Sequence, residues 1–192
     1  FAVGNDDVIY GGDTSKWIKV ANAIKARAHL HLGQYAEALA AAKASLTSQD
    51  DNMTYTFGTT QQAGWWRFND GRLGDIEFHP HLRGIMTGLN DTDRLGVWDV
   101  TFNTSHPYLK PNYTQAYISY REIQFIIAEC LSRTNGSAAE METAYLNGIK
   151  ASFLESGLTE AEYDTYVAQA AVKPGGASLD LEDHILTQKY IG

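Results

Sequence analysis

The run from Gly11 to Leu46, GGDTSKWIKVANAIKARAHLHLGQYAEALAAAKASL, constrains the fold more than any other part of the chain. Trp17, Val20, Ala21, Ile24 and Ala28 recur at helical spacing, and beyond Gly33 a second stripe runs through Tyr35, Ala38, Leu39, Ala42 and Leu46. Residues three and four apart share one helix face. The run therefore predicts two antiparallel helices joined at Gly33, the first capped by Thr14 or Ser15, with Trp17 and Tyr35 buried where each stripe begins. A lone hairpin leaves an apolar face uncovered, so further helices must pack on it.

The rest of the chain supplies them. Ile118, Arg121, Glu122, Phe125, Ile126 and Glu129 share one face of a predicted helix, and Ile123, Ile127, Cys130 and Leu131 lie on the neighbouring one, which marks this helix as central. Asn135 and Gly136 stop it. Ser137 with Glu140, and Thr159 with Glu162, read as capping boxes for two more helices. The first carries the stripe Met141, Ala144, Tyr145, Gly148, Ile149 and Ser152; the second carries Tyr163, Tyr166, Val167 and Ala170 and ends at Pro174, Gly175 and Gly176. The reading is all-α, with helices at 15–32, 35–48, 117–134, 138–155, 160–172 and 180–190. One irregular excursion over 50–115 interrupts them, far longer than the ~2–8 residues usual between packed helices.

Gly33, Tyr35 and Ala38 sit where a tetratricopeptide unit places its turn, so the hairpins are tetratricopeptide-like. The resemblance is more specific than a generic repeat. Asp7, Tyr10, Gly12, Asp13, Trp17, Lys19, Asn22 and Arg27 resemble the signature segment of the SusD/RagB family of bacterial outer-membrane nutrient-binding lipoproteins. TDRL at 92–95, REIQFIIAEC at 121–130, AYLNGIKASF at 144–153 and ILTQKYI at 185–191 resemble later segments of that family in the same order. The family pattern usually has proline before the arginine of TDRL, where this chain has Asp93.

The resemblance implies a single SusD-like helical domain over 1–192, truncated at both ends. It further implies a non-catalytic protein at the bacterial cell surface, held on the outer membrane by a lipid anchor absent from this chain. Such a protein delivers an oligosaccharide, polysaccharide or other nutrient to a SusC-like TonB-dependent transporter. A protein-binding tetratricopeptide-like scaffold and a glycan-active enzyme using Asp75, Glu77, Asp91 or Asp99 are the alternatives.

Composition narrows the field. A net charge of −8 without a basic cluster disfavours nucleic acid. No run reaches the ~18 apolar residues of a membrane-spanning helix. The single cysteine, Cys130, excludes an internal disulfide and reads as a buried thiol.

The excursion holds the candidate ligand residues Trp65, Trp66, Arg67, Asn69, Asp70 and Trp98. A sugar presents flat CH faces ringed by hydroxyls, so its site needs aromatic platforms beside planar polar groups. In an extended chain the adjacent Trp65 and Trp66 point to opposite sides, which leaves one of them exposed.

No cofactor and no metal are expected. His79, Pro80 and His81 lack a third ligand at a recognised spacing. Asp91, Asp93 and Arg94 lack the glycine and terminal glutamate of a calcium loop and read as a solvated turn. Glu122 and Glu129 lie two turns apart, ~10.5 Å along the axis, and read as structural carboxylates paired with an arginine such as Arg27 or Arg121.

Overall fold

The computed structural model describes residues 6–99, 106–172 and 181–192, and within them it is mainly helical. The chain divides into two compact units. One comprises Phe1–Thr54, Ala116–Ser152 and Lys173–Gly192, the other Tyr55–Gln115 and Phe153–Val172.

The first unit is built on α1 (Thr14–His31) and α2 (Tyr35–Lys43), with α6 (Tyr120–Arg133), most of α7 (Ala138–Glu155) and α9 (Leu181–Ile191). The turn after α1 is closed by Gln34 N–H donating to His29 O at 2.9 Å and Gly33 N–H to Leu30 O at 3.0 Å. That pair of bonds requires a left-handed residue between them, and Gly33 provides it at φ 71°. Alanines bring the hairpin together: Ala23 and Ala26 of α1 and Ala38 and Ala42 of α2 are buried, with no bulky side chain to hold the backbones apart. α2 packs against both α1 and α6, and α6 against α9.

Every residue of α6 from Ile123 to Leu131 is buried, so the helix is central, as its apolar circumference predicts. The stripe of α7 holds, with Ala144, Tyr145 and Ile149 in the core; α2 ends at Lys43, short of the predicted 48, and Leu46 is buried beyond its end. Gly136 N–H bonds to Leu131 O at 2.8 Å, and left-handed Asn135 at φ 51° ends α6. Ser137 caps α7 through its bond from Glu140 N–H.

The first stripe is corrected. Val20 is buried, but Ala21, Ile24 and Ala28 are exposed, and the inward face of α1 is Val20, Ala23 and Ala26. Trp17 and Tyr35 are half-buried rather than buried. Trp17 faces the turn before α1, edge-on to Tyr10 at 5.3 Å with its N–H on the Asp7 carboxylate at 2.8 Å, while Tyr35 lies under the Arg133 guanidinium. The cap of α1 is Asp13, not Thr14 or Ser15, because its carboxylate accepts the Ser15 and Lys16 amides.

Signature positions prove to be fasteners of this unit. Asp7 accepts from Trp17 and from the amides of Ile9, Tyr10 and Gly12. The indole bond, against a smaller opposing effect of burial and with help from those amides, holds its carboxyl at about 2. Tyr10 donates its hydroxyl to Asp51 O, and Asn22 its amide to Ala44 O. Lys19 pairs with Asp51 at 2.7 Å, and Arg27 grips Glu122 with two bonds of 2.6 and 2.7 Å. Burial alone would push the Asp51 carboxyl up, but bonds from Lys19 and Thr47 outweigh it and hold the group at about 2.

Glu129 is held by Arg133 at 3.1 Å and Lys189 at 2.8 Å. Both α6 glutamates are thus structural, as read from the sequence. Cys130 is fully buried, and burial pushes its thiol up to about 11.

The excursion is less irregular than the sequence suggests. The strands β1 (Met53–Thr56) and β2 (Thr114–Ile118) pair at its two ends, so the helix expected from 117 begins at Tyr120. Among the described residues between them lie three short helices: α3 (Gly64–Gly71), α4 (Pro80–Gly88) and α5 (Thr92–Trp98). With α8 (Glu160–Val167) they form the second unit. α8 has both halves of its predicted capping box, Thr159 N–H donating to the Glu162 carboxylate at 2.6 Å and Glu162 N–H donating to Thr159 Oγ1 at 3.3 Å. It ends at Val167, short of the predicted 172, and its expected stop at Pro174–Gly176 lies outside the described residues.

Two outcomes follow for the first unit. A β-carbon on Gly148 would stand 2.8 Å from the ring of Phe125, itself 1% exposed. Alanine favours a helix over glycine by ~1 kcal/mol, whereas overpacking a closed core costs about 1–3 kcal/mol. Gly148→Ala is therefore expected to lower the denaturant midpoint, and a variant as stable as the parent would show that Phe125 swings aside.

Asp7 and Asp51 have carboxyl values held below the ordinary 3.8. A depressed folded-state value means that the stability they add is complete above the unfolded value and is lost as pH falls through about 2. Stability should decline over that acid range, and Asp51→Asn should both lower stability at neutral pH and flatten the decline. An Asp51→Asn variant that retains the parental acid profile would contradict this account.

Candidate functional site

Ala63 fixes where α3 begins. Its side chain is 1% exposed and its N–H donates to Pro111 O at 2.9 Å, while Phe57 N–H donates to Tyr113 O at 3.0 Å, so the two ends of the excursion are tied. From that anchor the sequence GWWRFNDG turns as a helix rather than an extended chain.

Trp65 and Trp66 are consequently about 100° apart around α3 rather than opposed. Trp65 is 59% exposed; Trp66 is half-buried. Arg67 and Asp70 are exposed and Asn69 is buried, so the helix turns Asn69 inward and Trp65 outward.

Two residues missed in the sequence share the Trp65 face. Phe68 is 43% exposed, and the Arg72 guanidinium lies over its ring at 5.3 Å. Arg72 in turn pairs with Asp75 at 2.5 Å. Trp65 and Phe68 are three apart on α3 and Arg72, the residue after the helix, reaches back over Phe68, a grouping visible only once the segment is recognised as helical.

Trp98 belongs to α5 and has other companions. It is half-buried, stacks on Tyr108 at 4.5 Å, and donates its indole N–H to Ser156 Oγ at 3.1 Å. Tyr108 continues edge-on to Tyr113 at 4.9 Å. Beside them His106 is 2% exposed; burial lowers its pKa, outweighing the Trp98 carbonyl at 3.3 Å, so the ring is neutral near pH 7. Trp65, Trp66, Arg67, Asn69 and Asp70 are thus gathered on one helix, whereas Trp98 lies in an aromatic cluster on another.

The TDRL segment is not a solvated turn. Arg94 is completely buried, its guanidinium 4.8 Å from the Phe153 ring and 5.1 Å from the Tyr166 ring. Asp91, 1% exposed, accepts from its Nε at 2.9 Å and also from Nη2. Asp91 is held by its own N–H bond to Met86 O at 2.9 Å, across left-handed Asn90 at φ 52°. One Asn-Asp step therefore ends α4 and starts α5.

Of the other carboxylates considered for chemistry, Asp99 is engaged by two bonds from Arg83 and Asp75 by Arg72, whereas Glu77 is exposed. Among the described residues no group of three metal-binding side chains converges. His79 is the cap of α4, its Nδ1 accepting from His81 N–H at 3.2 Å, and Pro80 opens the helix instead of extending the chain.

A family model described as "Starch-binding associating with outer membrane" matches residues 2–106 and 94–192. The chain belongs to the SusD-like family. A SusD/RagB family protein of Bacteroides thetaiotaomicron VPI-5482 is 23% identical to this SusD-like chain, with a TM-score of 0.69 over 100% of it and 52% of the other. A SusD homologue of Bacteroides fragilis NCTC 9343 is 19% identical, with a TM-score of 0.77 over 96% of this chain and 54% of its own. A chitin-binding SusD homologue of Flavobacterium johnsoniae is 18% identical, with a TM-score of 0.73 over 96% and 50%. At these identities the likeness concerns the fold, and the SusD-like chain spans about half the length of the solved structures it matches. No curated protein shows significant similarity to it.

Removing Arg94 would leave Asp91 charged in an apolar setting. Breaking one side of a buried pair costs about 3–5 kcal/mol, mostly through the stranded partner. Arg94→Met should therefore destabilise the protein by about that much, and Asp91→Ala combined with Arg94→Met should recover part of the loss. Chemical denaturation of the two variants decides it; an Arg94→Met protein with the parental midpoint refutes the assigned role.

Proposed function

We propose that this chain is part of a single SusD-like helical domain that captures a glycan at the bacterial cell surface without altering it. The observation that carries the reading is Trp65, an indole more than half exposed on a helix fixed at its start, with exposed Arg67 and Asp70 on the same helix. Indole offers a flat apolar surface to the CH face of a pyranose, and the planar polar groups meet its hydroxyls. Trp66 and Asn69 shape the inner side of that helix, and Trp98 with Tyr108 is a second aromatic group in the same unit.

The family description as starch-binding, and the chitin-binding relative, support a saccharide over a protein partner. In the intact protein, the reading continues, a lipid anchor holds the domain on the outer membrane and a SusC-like TonB-dependent transporter receives the ligand. The ion pairing of Asp75, Asp91 and Asp99 supports binding over hydrolysis. A glycosidase needs carboxyls poised across a cleft to transfer protons or attack, and these carboxylates are committed to arginines.

Titration calorimetry of the intact protein against starch- and chitin-derived oligosaccharides tests the reading. Trp65→Ala is expected to weaken binding about tenfold, equivalent to roughly 1.4 kcal/mol, with folding unchanged and no reducing ends released. Parental affinity in Trp65→Ala would remove Trp65 from the site, and product release would overturn the non-catalytic reading.

A further inference from the structure

We infer that Phe68 and Arg72 are ligand-contacting residues and that the Trp65, Phe68 and Arg72 stripe of the second unit reads two consecutive residues of an uncharged glycan strand. The inference rests on the saccharide reading above and assigns that site its length, its further residues and its charge selectivity.

The Trp65 and Phe68 spacing is set by helix geometry. Side chains three apart on one face have their β-carbons about 5–6 Å apart, close to the length of one pyranose unit in an extended chain. Trp65 and Phe68 are both exposed at that spacing, at 59% and 43%. One sugar stacked on the indole therefore delivers its neighbour to the phenyl ring, along the direction of α3.

Arg72 closes the row. Its guanidinium is oriented twice, by the Phe68 ring at 5.3 Å and by Asp75, which accepts from Nε at 2.5 Å. A guanidinium has five N–H donors in a rigid fork, so donors on the terminal nitrogens remain to meet sugar hydroxyls. Being held in advance, they lose little freedom when they do.

Charge settles the kind of glycan. The Arg72 cation is already neutralised by Asp75, and α3 carries one acidic residue, Asp70, for its one basic residue, Arg67. A uronic acid or sulfated sugar would find no net positive field there and would approach a chain carrying −8 overall. An apolar face with fixed neutral-sum donors suits an uncharged hexose or N-acetylhexosamine strand.

The experiment uses the intact protein, with folding of every variant checked by circular dichroism. Calorimetry is run with glucose, maltose and maltohexaose, with N-acetylglucosamine, chitobiose and chitohexaose, and with oligogalacturonate. The expected result is binding to one uncharged series, with the disaccharide at least tenfold tighter than the monosaccharide. Phe68→Ala and Arg72→Ala should each weaken hexasaccharide binding fivefold or more, and Phe68→Ala should erase most of the gain from one sugar to two.

If Trp65→Ala loses affinity while Phe68→Ala and Arg72→Ala keep it, the two-residue assignment is overturned and the saccharide reading stands. Preferential binding of oligogalacturonate overturns the charge assignment alone. If the parent binds none of the three series, both the inference and the reading beneath it fail.

Discussion

A charge taken out of water must be matched by an opposite charge and by hydrogen bonds, and much of this structure is arranged around that requirement. Arg94 is the extreme case. A guanidinium with no exposed surface would be ruinous alone, so its position dictates where Asp91 sits and why aromatic rings flank it. Asp91 in turn is placed by the turn that ends α4 and begins α5, and Arg83 with Asp99 ties the same two helices at their far ends. Among its described residues the second unit has few large aliphatic side chains in its core, and this polar fastening substitutes for part of the packing that they would supply.

The first unit solves the same problem with more partners and less burial. Asp51 is enclosed by Lys19 and Thr47, Glu129 by Arg133 and Lys189, and Glu122 by Arg27. These contacts join residues far apart in sequence: Arg27 of α1 reaches Glu122 of α6, and Lys189 of α9 reaches Glu129 of α6. Small residues set the distances and ion pairs set the register, because an alanine face can slide along its neighbour whereas a bidentate arginine cannot. The resemblance segments contain both kinds of residue, which is why they read as one signature.

What the sequence made legible follows from the same physics. The central helix could be read because Ile, Phe and Leu surround it, and the end of α6 and the start of α8 because Asn135, Gly136, Thr159 and Glu162 have few other uses in that order. The phase of α1 was misread because its buried face is made of Val20, Ala23 and Ala26, while the bulkier Ile24 points outward. Arg94 was misread because charge ordinarily means exposure, and nothing local in NDTDRL reveals the distant rings of Phe153 and Tyr166. α3 was missed for a different reason. Its cap, Ala63, provides no side-chain bond, and glycines at 64 and 71 bound it, so what makes it a helix is the non-local bond from Ala63 to Pro111.

The same anchor decides how the proposed binding surface is built. Had residues 64–71 been extended, Trp65 and Trp66 would have faced opposite ways and Phe68 would have shared a side with Trp66, leaving one indole isolated. Helical winding puts Phe68 beside Trp65 instead and sends Asn69 inward. The exposed aromatic row thus depends on an anchor nearly fifty residues away in sequence. A loop would present the same side chains in many relative positions, and ordering them would oppose binding; a helix held at its start presents them already in line.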